Sequence, residues 1–68
     1  MNSNAVQFAI ACYDGNSMQE LVEGLNESPD MTDCQTWGIS PEEWKGAIEL
    51  AFRARSAGLS ISDDGSLA

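Results

Sequence analysis

"ISPEEWKGAIELAFRARSAG", residues 39–58, reads as one complete helix with its start and stop signals in place. Ser40 is a natural N-cap, Pro41 occupies the first helical position, and Glu43 three residues on completes a capping box. Ile39 before the cap and Trp44 inside it are spaced for a hydrophobic staple. Trp44, Ala47, Ile48, Ala51 and Phe52 then fall on one face, which Leu50 and Ala54 widen. Gly58 supplies the left-handed stop, and Leu59 beyond it is placed to pack back on the last turn.

Upstream, "SMQELVEGLNES" at residues 17–28 repeats the pattern on a smaller scale. Ser17 and Glu20 have capping-box spacing, and Met18, Leu21, Val22 and Leu25 follow the i, i+3, i+4, i+7 rule for one buried stripe. Pro29 disfavours helical geometry at Ser28 and closes the element. Between the two helices, "MTDCQTWG" predicts a helix of one or two turns, with Thr32 and Gln35 as its capping pair and Gly38 as its stop. Met31, Cys34 and Trp37 are expected to face inward. In the N-terminal "NAVQFAIACY", Val6, Phe8, Ile10 and Cys12 alternate as a strand would. Ala5, Phe8, Ala9, Cys12 and Tyr13 also form a helical stripe, and three alanines without a β-branched cluster favour the helix.

The expected fold class is therefore all-α: a compact small bundle of three to four helices, at about 4–13, 17–27, 32–37 and 41–57, with a flexible C-terminal tail. Residues 1–58 are expected to form a single helical domain and residues 59–68, polar and small in composition, a loosely ordered tail. A chain of 68 residues buries only about 60% of the surface that it exposes when unfolded, which leaves little room for an enclosed active site. The 43% apolar content and two Trp still argue for a real core.

Function is constrained first by what is missing. The chain has no His, so neither a His general base nor a Ser–His or Cys–His pair can exist, and no enzymatic activity is expected. Cys12 and Cys34 have no Lys or Arg beside them in sequence, and both are expected to be reduced, buried small hydrophobes. "DGNSMQE" opens like a calcium loop at Asp14 and Asn16, but Met18 stands at a ligand position and Gln19 where Gly is required. "DDGSLA" places Ser66 in a context reminiscent of a phosphopantetheine carrier, yet that Ser lies at the chain end rather than at the start of a bundle helix. Neither a metal nor a cofactor is expected. No export signal is visible and no run approaches the roughly 20 apolar residues of a membrane span, so a cytoplasmic setting in a bacterial host is expected.

The informative feature is charge. The formal net charge is −8, and such a field repels nucleic acid and anionic membranes while attracting basic surfaces. Residues 1–44 hold eight acidic side chains and no base, whereas residues 45–68 hold three of each. Within the long helix Glu49 can meet Lys45 and Arg53 at i, i+4 spacing, so that segment neutralises itself. Glu20, Glu23 and Glu27 share one helix edge about 5–6 Å apart, on the side expected to lie opposite the apolar stripe. DNA carries one phosphate per about 3.4 Å of rise on each strand, and stacked carboxylates approximate such a row. A merely solvated helix face is the plain alternative. Eight acids in succession without one Lys argue instead for a recognition surface, with Glu20, Glu23, Glu27, Asp30, Asp33, Asp14 and Glu42 as its candidate partner-binding residues.

In length, acidity, lack of catalytic side chains and small helical core, the whole chain resembles the phage-encoded anti-CRISPR proteins. These are acidic inhibitors of type I CRISPR systems found in Pseudomonas phages and mobile elements. The resemblance lies in whole-chain features and assigns no role to a single residue. It implies inhibition without chemistry: binding to the basic surface of a surveillance complex and exclusion of its target DNA. The expected partner is then a basic nucleic-acid-binding protein such as a CRISPR effector subunit, with no direct nucleic acid, membrane or small-molecule substrate. An antitoxin or adaptor, and a mimic directed at restriction enzymes, are the alternatives. Trp37 and Trp44 could anchor an interface, although their helical and staple positions favour the core.

Overall fold

The computed structural model describes residues 2–68 and contains four helices: α1 (Ser3–Gly15), α2 (Met18–Asn26), α3 (Met31–Trp37) and α4 (Pro41–Ala57). The all-α bundle expected from the sequence is the observed architecture. Helix α4 is its hub and packs against each of the other three. Its start is built as the sequence predicts: Ser40 Oγ accepts from the Glu43 backbone N–H at 3.1 Å, and Glu43 Oε1 accepts from the Ser40 N–H at 2.9 Å. The hydrogen bond from Ser40 holds the Glu43 carboxyl below its ordinary pKa.

The strand alternative for the N-terminal segment is resolved by alanine. Ala5 and Ala9 on α1, and Ala47, Ala51 and Ala54 on α4, are fully buried. Residues four apart share a helix face, so these small side chains let the two backbones approach closely. Phe8, Cys12, Ile48 and Leu50 complete the core around them, and Trp37 tilts against Phe8 with ring centroids 5.5 Å apart. Trp44 is in the core at 5% exposure.

Arg55 ties the end of α1 to α4. Its Nη2 donates to Tyr13 O and Asn16 O, both at 2.7 Å, and its Nε donates to Tyr13 O at 3.1 Å. The guanidinium also lies 5.2 Å from the Tyr13 ring centroid. Arg55 therefore answers carbonyls that α1 leaves without helical partners, and its charge offsets the negative end of that helix. Of the other two bases, Arg53 meets Glu49 at 3.0 Å, whereas Lys45 makes no ion pair among the described residues.

Several local expectations are corrected. Helix α3 starts at Met31 rather than Thr32, because Asp30 is its N-cap and accepts from the N–H groups of Thr32 at 2.8 Å and Asp33 at 3.3 Å. A carboxylate at that position answers two orphan donors and the positive helix end together, which a Thr hydroxyl two residues later does not. Helix α2 stops at Asn26, with Glu27 already extended; a carboxylate at the negative end of a helix disfavours another turn. Met31, expected inward, is 64% exposed, and Met18, Val22 and Leu59 are also exposed.

The last residues do not trail away. Gly58 adopts the left-handed cap, after which Ser60 and Ala68 exchange two backbone hydrogen bonds, both at 3.0 Å. Ser62 donates to Ser66 O at 2.8 Å, and Gly65 turns the chain at φ 87°. Ile61 and Leu67, paired across this closure, pack on the helical core. Two apolar side chains on the same side of a short closed loop give residues 59–68 a surface to rest on, which a purely polar tail would lack.

Candidate partner-binding groove

Helix α2 determines where the acidic side chains stand. It meets α4 through Leu21, which is 1% exposed, with Leu25 half-buried beside it. Gly24 completes the contact: a Cβ there would lie 3.2 Å from Ile48 Cδ1, so only glycine leaves Ile48 undisturbed. The buried face of α2 is thus centred on Leu21, Gly24 and Leu25, not on the Met18/Leu21/Val22/Leu25 stripe. Relative to the expected orientation the helix is rotated, exposing Met18 and Val22 on one flank. Glu20, Glu23 and Glu27 move from the far side to the other flank, beside the contact.

That flank borders a groove of about 320 Å³. Phe8, Cys12, Leu21, Trp44 and Ile48 give it an apolar lining, and Glu20, Glu23, Glu27 and Asp33 give it an acidic one. Asp33 comes from α3, so two helices contribute carboxylates to one depression. No Lys or Arg lines it. Among the described residues no three His, Cys, Asp or Glu side chains are grouped to hold a metal ion.

The seven candidate binding residues therefore divide. Glu20, Glu23, Glu27 and Asp33 are brought together at the groove. Asp30 lies outside it, capping α3. Glu42 sits in the first turn of α4, where a negative charge favours the helix start. Asp14 borders a separate depression of about 120 Å³ shared with Ile10, Tyr13, Ser60 and Ile61. Within the groove, Glu20 also has a structural task, because its Oε1 accepts from the Ser17 N–H at 3.0 Å in the α2 capping box. Glu23 accepts from Gln19 at 3.2 Å.

Three groove residues stand outside the seven candidates. Gly24 left a trace, since a glycine inside a helix costs about 1 kcal/mol against alanine and signals a close approach. Trp44 was weighed as an interface anchor with the core favoured: its staple position explains the burial of the ring, but its Nε1–H is buried without an acceptor among the described residues. An unanswered buried donor costs about 1–3 kcal/mol. Cys12 is the third. Burial, with the Asp33 carboxylate adding to it, pushes its thiol up to about 11.

Cys12 and Cys34 are both free and buried. The protonated Cys12 thiol is a poor nucleophile, so native protein at pH ~8 is expected to resist iodoacetamide, with modification appearing on addition of denaturant. The folded thiol keeps its proton to higher pH than an unfolded one, whose pKa is about 8.5. Its stabilising contribution is thus complete below about pH 8.5 and is lost as pH rises toward about 11. Urea midpoints measured across that range for the wild type and Cys12→Ala check this: the alkaline fall should be shallower in the variant.

No family model matches this chain, and no curated protein or solved structure matches it either. No helix of the described residues is long and apolar enough to cross a membrane. Fold and groove define a small four-helix protein whose distinguishing feature is a depression with a mixed apolar and carboxylate lining.

Proposed function

We propose that the protein is a non-enzymatic inhibitor that seats its acidic groove face on a basic, nucleic-acid-handling protein and excludes the nucleic acid. The observation that carries this reading is the convergence of Glu20, Glu23 and Glu27, from α2 and its C-cap, and Asp33 from α3 on one groove with no Lys or Arg in its lining. Like charges held together weaken the fold slightly, and a cationic partner relieves that repulsion. The partner class implied by the anti-CRISPR resemblance is the DNA-binding surface of a type I surveillance complex. Carboxylates spaced along α2 would there stand in for phosphates, and charge complementarity would raise the association rate more than the final affinity.

The test is inhibition of target-DNA binding by such a complex, read at ionic strengths from about 0.05 to about 0.3 M. Glu23→Lys with Glu27→Lys is the informative variant, because reversing Glu20 would also remove a helix cap. Inhibition is expected to fall at least about tenfold in the variant and to weaken as salt rises. Unchanged inhibition by a folded variant would sink the proposal. Exposed Met18 and Val22 on the opposite flank of α2 support a second reading, an adaptor or antitoxin docking by apolar contact. Its binding would persist at high salt and respond to Val22→Asp instead.

A further inference from the structure

The groove pairs two features that a solvated acidic face does not require. One is the carboxylate rim of Glu20, Glu23, Glu27 and Asp33. The other is Trp44, a groove-lining side chain at 5% exposure whose indole Nε1–H has no acceptor. The rim calls for a cation, and the indole calls for an oxygen. A ligand that answers both must carry a positive charge and a hydrogen-bond acceptor.

We infer that the groove is a socket for an arginine side chain presented on an extended segment of the partner protein, with a backbone carbonyl of that segment accepting from Trp44. This rests on the acidic docking reading above and names what enters the face. The guanidinium offers five donors in a planar fork, so it can meet carboxylates approaching from α2 and from α3 together. Its aliphatic stem and flat face suit a floor containing Phe8, Trp44 and Ile48. A volume of about 320 Å³ is enough for one long side chain with its peptide unit. The indole nitrogen is screened from water in the free protein, so its pairing requires the flanking side chains to part and reports on occupancy.

Competing occupants fail on the same two features. A protonated polyamine satisfies the carboxylates but has no acceptor for the indole. A divalent cation lacks a grouped set of three ligands among the described residues. A purely apolar group would strip water from four carboxylates without replacing it.

The experiment follows the two indole N–H resonances by NMR while acetyl-Gly-Arg-Gly-amide, and separately spermidine, is added to the whole protein. Trp44→Phe assigns the pair, and Trp37 serves as the internal reference. The arginine peptide should move the Trp44 resonance with millimolar affinity and leave Trp37 in place, while spermidine leaves Trp44 unmoved. Glu23→Gln with Glu27→Gln should weaken the peptide roughly tenfold without altering the fold. A peptide that leaves the Trp44 indole unmoved, or spermidine that moves it equally, overturns the socket. Loss of inhibition in Glu23→Lys with Glu27→Lys alongside an unmoved indole would remove the socket and keep the docking face. Retained inhibition in that variant would remove the docking face itself.

Discussion

Leu21→Ala is expected to lower stability by about 3 kcal/mol and to abolish partner binding with it. Leu21 is one of the two largest side chains buried to 2% exposure or less, and it is the only fully buried residue of α2. Truncation removes its transfer free energy and leaves a cavity against α4 that Gly24, with no side chain, cannot fill. A domain of this length has about 3–10 kcal/mol in total, so the loss is a large fraction of it. Because α2 is a nine-residue helix, it has little stability away from α4. Glu20 and Glu23, with Glu27 at its C-cap, lose their common orientation when it undocks. Urea denaturation gives the stability change, and amide exchange should show α2 protected least. A variant that keeps wild-type stability would mean that Leu25 and Gly24 alone hold the helix.

Arg55→Ala is expected to be comparably damaging, by about 2–4 kcal/mol, which for a domain of this size lowers Tm by roughly 10–20 °C. Three donor contacts reach two carbonyls at the end of α1, and alanine leaves both carbonyls without them in a partly buried place. Packing of the guanidinium on Tyr13 is lost as well. Arg55→Lys should recover only part of the loss, because one ammonium cannot reproduce the fork that spans Tyr13 O and Asn16 O. Thermal melts of the two variants separate a geometric role from a purely electrostatic one: full recovery with Lys would show that charge alone suffices.

These effects explain which parts of the molecule were legible along the chain. Capping at Ser17 and Ser40, the glycine stop at Gly58 and the apolar repeat of α4 are local, because a helix end is satisfied by side chains three residues away. The existence and order of α2 and α4 follow from them. Asp30 shows the limit, since Asp30 and Thr32, two residues apart, both satisfy the local rule, and the better electrostatic match decides. Arg55 was equally hidden: its i−2 neighbour Arg53 pairs locally with Glu49, but its own partners lie 39 and 42 residues away.

By itself the sequence determined the capped helices α2 and α4, an expected all-α bundle of three to four helices, and an acid excess confined to the residues before Lys45. Only the tertiary structure decided which way α2 faces. Four apolar residues at helical spacing define a broad stripe, and any part of that stripe can be the contact. Gly24 against Ile48 selects one edge of it by allowing the closest approach there. That rotation leaves Met18 and Val22 in solvent and brings Glu20, Glu23 and Glu27 beside Asp33 at the groove that Trp44 lines. Charge can be counted along a chain, but its convergence on an apolar floor depends on the angle at which two helices meet.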